Sequence, residues 1–368
     1  MRVCFTIAEL REGTGQTIML AQVTNFLQSR VESLVLTPKA SPESHKSFEK
    51  TEIIVSKSYF TSFLDQETVQ TMKKSDVVFI KSGFPYVFPA SESRKPLIYV
   101  LHQPDPWFIF QGRTRLNRLT ISLFERPLLL RHVSSFVSVS EWVRKWYYDR
   151  YGINSKVIPD SIDGRSFRPL HNNINKEDTD SSLSLLNVGD WDGFRGRKRS
   201  HELIYMMPMV LRSYPTARLT IVGLSSSALS QLHNIANNMG ITDSLRLIGK
   251  VSQEDLVKLY NSHQIFVTAT LVEGFYRPLI EAFSCGLPAI VRDASGQFDT
   301  VCLAALNHLK VSEGGVSYDG SAHSFVSSIY RLLANYRAFR NNAIEYASRF
   351  DSSKILPSYL DVLNNANV

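Results

Sequence analysis

The chain has 368 residues, of which 43 % are hydrophobic and 20 % charged, with a net charge of +7. That length suits about two domains, and the composition excludes a disordered, collagenous or disulfide-scaffold protein. Cys4, Cys285 and Cys302 lie far apart in apolar runs, with neither CxxC nor metal-ligand spacing. They read as buried thiols in a reducing compartment.

The charge is uneven. Residues 1–165 carry 22 Lys and Arg against 16 Asp and Glu, whereas the rest carries 19 against 18. An anionic partner of the first half would be nucleic acid, a membrane surface or an acidic acceptor. The apolar run at the N-terminus is too short for a signal peptide and reads as a first buried strand. No apolar stretch approaches the roughly 18 residues of a membrane span. The expectation is a cytoplasmic protein, peripheral at most to the inner face of a membrane.

In chain order, β-rich runs appear at 3–7, 33–36, 76–80, 97–101 and 135–139. Helical patterns fall between them at 16–29, 114–131 (kinked at Pro127) and 141–151, the last capped by Ser138 with Glu141. Further strands read at 183–188, 218–222, 245–248, 265–268 and 289–291, again alternating with helices. Buried strands separated by helices mean βαβ units and parallel sheets. The polar run His171 to Ser182 has no periodicity and reads as a linker. The expected organisation is α/β, with two doubly wound Rossmann-like domains at 1–165 and 183–350 and a terminal helix at 351–368 returning to the first domain. Ligands in such sheets bind beyond the carboxyl ends of the strands, here in a cleft that the two domains face.

Six segments carry chemistry. Arg11-Glu12-Gly13-Thr14-Gly15-Gln16 follows the first strand; its glycines, Gly13 and Gly15, let backbone N–H groups approach a phosphate or sugar. His102 leaves the end of a buried strand, followed by Asp105 and Trp107 as acceptor-side candidates. Five arginines from Arg113 to Arg131 stand among leucines, as in a domain helix or one that docks on anionic lipid. Ser138 to Phe167 reads as a strand end, a helix and another strand.

Asn187 to Arg199 leaves a strand and sets Arg195, Arg197, Lys198 and Arg199 within five positions. These could hold a diphosphate or form a solvated basic turn. The same segment contains Asp190-Trp191-Asp192, a conceivable magnesium–diphosphate pair. Glu273 to Pro288 places Pro278 at a helix start, with Glu273 in the preceding loop and Glu281 within the first turn. Free amides of that turn make an anion site, and a carboxylate there could accept two ribose hydroxyls or simply cap amides.

The string E-G-F-x-x-P-x-x-E-A-x-x-x-G-x-P from Glu273 to Pro288 resembles the E-x7-E signature of glycosyltransferase family 4. Ser138 to Pro169 resembles the family's crossover between domains and Asn187 to Arg199 its diphosphate clamp, and the resemblance is strong over 137–167 and 185–299. The resemblance implies a GT-B fold and a retaining hexosyltransferase. Its donor is a UDP- or GDP-linked sugar, and it uses no metal or other cofactor. Glu281 would bind the ribose. Glu273 and His102 would meet the donor sugar, with Gly274, Phe275 and Tyr276 contributing backbone contacts. Lys198, aided by Arg195 or Arg197, would hold the diphosphate, and Gly13 and Gly15 would line the cleft. The acceptor hydroxyl would attack on the face the nucleotide leaves, and the donor phosphate would take its proton. The acceptor would be a glycan, a lipid-linked sugar or a small molecule, with peripheral membrane association through the basic half and no nucleic acid bound.

Three positions depart from the family pattern. Asp190 stands where an arginine is usual, Asp160-Ser161 where Asn-Gly is usual, and Tyr276 where glycine is common. The tyrosine is expected to narrow the donor pocket. The two aspartates motivate a rival reading, a nucleotide-sugar-binding protein with impaired catalysis. The basic loop motivates another, a nucleic-acid binder, although no RRM, KH or helix-turn-helix signature accompanies it.

Overall fold

The computed structural model describes residues 1–12, 14–56, 65–81, 86–102, 131–170, 183–194, 196–293 and 314–366. The helical reading at 114–130, the linker at 171–182, Cys302, Gly13, Arg195, Asp105 and Trp107 lie outside the described residues. The chain divides into two compact units, Met1–Ser161 with Ser352–Val368, and Ile162–Asp351.

The first unit is built on a parallel sheet of seven strands: β1 (Arg2–Thr6), β2 (Glu32–Thr37), β3 (Glu52–Val55), β4 (Val77–Ile80), β5 (Leu97–Leu101), β6 (Ser135–Ser138) and β7 (Lys156–Val157). Its spatial order is β3-β2-β1-β4-β5-β6-β7. Helices α1 (Gly15–Leu27), α2 (Gln66–Lys73), α3 (Val87–Ser93) and α4 (Glu141–Tyr151) connect the strands. All four residues of β4 are buried, as a central parallel strand covered on both faces requires. Phe79 packs between Phe5 at 5.3 Å and Tyr359 at 6.0 Å, measured between ring centroids.

The cap of α4 differs from the sequence reading. Ser140 is the N-cap, and its hydroxyl accepts the N–H of Val143 at 3.2 Å. Ser138 still belongs to β6 and is engaged with the Ser155 hydroxyl at 2.6 Å. The cap falls two residues later because the strand continues through Ser138 before the chain turns.

The second unit holds six parallel strands: β8 (Ser184–Val188), β9 (Arg218–Val222), β10 (Leu245–Ile248), β11 (Ile265–Thr268), β12 (Ala289–Arg292) and β13 (Gly315–Tyr318). Helices α5 (Ser200–Ser213), α6 (Ser226–Asn238), α7 (Gln253–Ser262), α8 (Arg277–Ser284), α9 (Ala322–Ala334) and α10 (Tyr336–Ala347) alternate with them. The order is β10-β9-β8-β11-β12-β13. The chain thus winds outward from β8 to β10, then resumes on the other side of β8 with β11. Beyond the carboxyl ends of β8 and β11 the loops diverge, and a ligand crevice opens there in doubly wound sheets. The corresponding point of the first unit lies between β1 and β4. The terminal helices α11 (Ser352–Ile355) and α12 (Pro357–Ala366) belong to the first unit.

Candidate functional site

In the second unit the candidate residues come from the loop after β8 and the loop after β11. Gly189 leaves β8 with φ at +147°, a conformation that a side chain would strain, and a Cβ there would lie 3.6 Å from Lys198 Nζ. The lysine stem therefore lies along a bare stretch of backbone. Gly223, just after β9 with φ at +96°, passes close to Gly189: a Cβ built on Gly223 would lie 3.6 Å from the Gly189 backbone. Two glycines thus let the strand ends meet where the loops begin.

The two aspartates of Asp190-Trp191-Asp192 accept backbone N–H groups. Asp190 accepts from Trp191 at 2.9 Å and from Ser225, the N-cap of α6, at 3.0 Å. Asp192 accepts the N–H of Arg197 at 2.9 Å and of Lys198 at 3.1 Å. The first carboxylate joins the ends of β8 and β9, and the second fixes the main chain that carries the two cations. Among the described residues no group of three or more His, Cys, Asp or Glu is disposed to hold a metal ion.

The two loops are tied together. The N–H of Leu271 donates to the Arg197 carbonyl at 2.9 Å, and the Arg197 guanidinium donates to the Val272 carbonyl at 3.4 Å. Lys198 and Arg197 both donate to Oε1 of Glu273. The three side chains are between 13 % and 20 % exposed, so their charges interact with little screening. Burial alone would raise the Glu273 pKa, but the charges of Arg197 and Lys198 outweigh it and hold the carboxyl below its ordinary range. Burial and the neighbouring Arg197 lower the Lys198 pKa against the pull of Glu273. Two cations thus share one carboxylate at the strand ends, and the charge of Asp192 acts on both of them as well.

Tyr276 departs from the expectation that it narrows a pocket. Its side chain turns into the core and is 2 % exposed. Its hydroxyl meets Thr268 Oγ1 at 3.2 Å and donates to the Val188 carbonyl at 3.4 Å. The ring lies beneath Lys198, with Nζ 4.8 Å from its centroid. Burial pushes the phenol pKa up to about 12.

Glu281 stands in the second turn of α8, not the first, because the helix opens at Arg277 with Pro278 next. It therefore caps no amide, and no side chain caps the first turn. Its carboxylate accepts from Arg277 Nε at 2.9 Å and from the Tyr260 hydroxyl at 3.0 Å, and all three residues are buried. Gly286 closes the helix with φ at +72°: its N–H reaches the Phe283 carbonyl, and that of Leu287 the Ala282 carbonyl. Gly274 is buried and Phe275 half-buried, the latter packed on Phe350 with centroids 5.4 Å apart.

In the first unit, Gly15 is the first residue of α1, capped by Thr14. His102 follows β5. Burial and the charge of Lys81 drive its pKa down to about 3, its ring is hydrogen-bonded to the Lys81 backbone, and Nε2 is buried without a hydrogen-bond partner. Lys81, just beyond β4, pairs with Asp160 at 3.4 Å. The structure thus groups Glu273, Lys198, Arg197 and Tyr276, sets Glu281 in its own buried cluster, and places His102 and Gly15 in the first unit. Tyr260 and Arg277 are the partners that sequence reasoning missed, and Asp192, weighed there only for magnesium, accepts the backbone N–H groups of the two cations. The i,i+4 spacing of Arg277 and Glu281 was the available signal.

The family model for glycosyl transferases group 1 matches residues 191–350, and that for glycosyltransferase family 4 matches residues 13–164. The chain belongs to this family of group 1 glycosyltransferases, and its fold is GT-B. A D-inositol 3-phosphate glycosyltransferase of Catenulispora acidiphila is 28 % identical over 147 residues, 39 % of this chain and 34 % of that protein. A phosphatidyl-myo-inositol mannosyltransferase of Mycolicibacterium smegmatis is 25 % identical over 180 residues, 48 % of this chain and 44 % of that protein. The matches therefore span between about a third and a half of these relatives. The structure of Anabaena HepE, solved with UDP and glucose, is 17 % identical with a TM-score of 0.79, covering 99 % of this chain and 100 % of that one. No helix among the described residues is long and apolar enough to cross a membrane.

Proposed function

We propose that this protein transfers a hexosyl group from a UDP- or GDP-linked sugar to an acceptor hydroxyl, with retention and without a metal. The observation that carries the reading is the Arg197–Lys198–Glu273 cluster at the ends of β8 and β11. Two cations share one carboxylate there, on a main chain already fixed by Asp192. An incoming diphosphate takes the place of Glu273 on the cations. Its charge, which grows as the sugar–oxygen bond breaks, meets donors already in position, commonly the largest contribution to catalysis.

Glu273, once released, is free to accept a sugar hydroxyl. Glu281, held by Arg277 and Tyr260, accepts the ribose hydroxyls. His102 is neutral at physiological pH, and its Nε2 accepts from a substrate hydroxyl. Backbone amides of Gly274, Phe275 and Tyr276 complete the polar surroundings in the second unit. The acceptor hydroxyl attacks from the face the diphosphate leaves, and a donor phosphate oxygen takes its proton. The aspartates at 190 and 192 are engaged by backbone N–H groups, which supports a clamp of cations and not of magnesium. The acceptor is a glycan, a lipid-linked sugar or a small molecule. The relatives named for inositol phosphate and phosphatidylinositol support that class. The reaction is assigned to the cytoplasm, at the inner face of a membrane when the acceptor is lipid-linked.

A thermal-shift panel of UDP, GDP, ADP and their sugar conjugates, without metal and then with magnesium, tests the reading. At 100 times its dissociation constant a ligand adds about 2.7 kcal/mol of stability. One nucleotide is expected to stabilise without metal and to lose its effect in Lys198→Ala. The anomeric configuration of the transfer product, read by NMR, tests retention. A shift that appears only with magnesium, or an inverted product, defeats the corresponding part. Donor binding without transfer or hydrolysis would leave a binding protein of the same fold.

A further inference from the structure

We propose that Tyr276 is a positioning residue for Lys198: its ring face is the fixed seat that holds the ammonium in place when a diphosphate replaces Glu273. The inference rests on the donor-site reading above.

Four contacts define where Lys198 lies. Asp192 holds its backbone N–H at 3.1 Å, and the bare Gly189 backbone flanks its stem, with an imagined Cβ 3.6 Å from Nζ. Glu273 accepts from Nζ, and the Tyr276 ring lies under Nζ at 4.8 Å. When an anion binds, the Glu273 contact is the one that must be exchanged. Neither Asp192 nor Gly189 touches the ammonium in a way that sets its height above the strand ends. The ring does, and it is itself immobile. Its hydroxyl is hydrogen-bonded to Thr268, the last residue of β11, and to the carbonyl of Val188, the last residue of β8. Phe266 packs against it at a tilt, with centroids 6.0 Å apart. The seat is therefore referenced to the two strands between which the crevice opens.

Electrostatics favours the arrangement. An ammonium removed from water loses hydration, and the negative face of an aromatic ring compensates without competing for the donor N–H groups that the phosphates need. A second carboxylate in that place would repel the diphosphate. A small residue would admit water and let the long lysine chain sample other rotamers. The departure at Tyr276 thus acts on the diphosphate clamp and not on sugar size.

The test replaces Tyr276 by phenylalanine, by phenylalanines of increasing fluorination and by leucine, and measures dissociation constants for the nucleoside diphosphate and monophosphate by calorimetry. Tyr276→Phe keeps the ring face under Nζ and is expected to bind the diphosphate within about threefold of wild type, since the two hydroxyl hydrogen bonds that are lost do not touch Lys198. Fluorination keeps the shape but drains the ring face, so diphosphate affinity is expected to fall stepwise to about thirtyfold in the fully fluorinated protein. Monophosphate affinity stays constant. Tyr276→Leu behaves like the fully fluorinated ring. A merely structural tyrosine would move both ligands together, or neither. Equal diphosphate affinity across the fluorinated series, with wild type binding normally, overturns the proposal and leaves the donor-site reading intact. Wild type that binds no nucleoside diphosphate defeats the donor-site reading and this inference with it.

Discussion

Lys81 Nζ lies 3.4 Å from Asp160 Oδ1, with the two side chains only 2 % and 12 % exposed. Asp160, one of the two aspartates that depart from the family pattern, is therefore one half of a buried ion pair within the first unit. Removing one partner of such a pair leaves an uncompensated buried charge, at a cost of about 3–5 kcal/mol. Asp160→Asn and Lys81→Met are each expected to lower the urea midpoint accordingly. The double variant Lys81→Met/Asp160→Leu is expected to recover most of the loss, because an apolar pair of similar volume can match a buried ion pair. Single variants that unfold at the wild-type midpoint would show the pair to be uncoupled.

Asp192 links loop geometry to the cations. Asp192→Ala removes the acceptor of two backbone N–H groups, a charged contact worth about 1.5–3 kcal/mol when shielded and less at this exposed position. The melting temperature should change little, while nucleoside diphosphate binding weakens by about tenfold or more. Gly196 offers a second handle, since a Cβ there would stand 1.9 Å from Asp192 Oδ1. Gly196→Ala must break the same contact. It should match Asp192→Ala in affinity, and the double variant should be no weaker than either, a non-additivity that a binding cycle reads directly. Additive losses would place the two residues in separate roles.

Much of this architecture was legible in the chain. The buried strands from 3–7 through 289–291 are apolar runs of the right length, and they recur as strands. Two strands went unread. β3, Glu52–Val55, is an edge strand with no fully buried residue, so it carries no strong apolar signal. β13, Gly315–Tyr318, is four residues long, opens on glycine and presents Ser317 to solvent. At the site, the family resemblance singled out Lys198 and Glu273, but nothing local says that one will lie on the other across 75 positions. The inward turn of Tyr276 is decided by two hydrogen-bonding groups at strand ends, the Thr268 hydroxyl and the Val188 carbonyl, which only the fold brings together.

Glu281 separates folding from binding. Its carboxylate balances buried Arg277 and accepts the Tyr260 hydroxyl. Glu281→Ala removes this acceptor from both and is expected to destabilise the second unit by about 3–5 kcal/mol. Glu281→Gln keeps an acceptor for one partner and should remain folded with a smaller loss. If this side chain also takes the ribose, Glu281→Gln loses the nucleotide-induced thermal shift while unliganded protein still melts cooperatively. A full nucleotide shift in Glu281→Gln would assign the glutamate to structure alone.

His201 makes stability depend on pH. The Trp191 indole donates to its Nδ1 at 2.9 Å, so the neutral ring is the one the fold uses. Burial, then the charges of Arg199 and Arg292, hold its pKa down to about 4 from 6.5. Between those two values the unfolded chain binds a proton that the folded one refuses, so stability rises with pH across that window and is lost as pH falls from about 6.5 toward 4. A shift of this size corresponds to at most about 3 kcal/mol. Urea unfolding at pH 7 and at pH 4.5 measures the difference. His201→Gln, which can still accept the indole N–H but binds no proton, should flatten the profile relative to wild type. Arg199→Gln removes one of the repelling charges and should shrink the same difference, because the folded pKa then moves back toward its ordinary value. Identical profiles in wild type and His201→Gln would transfer the pH dependence to another group.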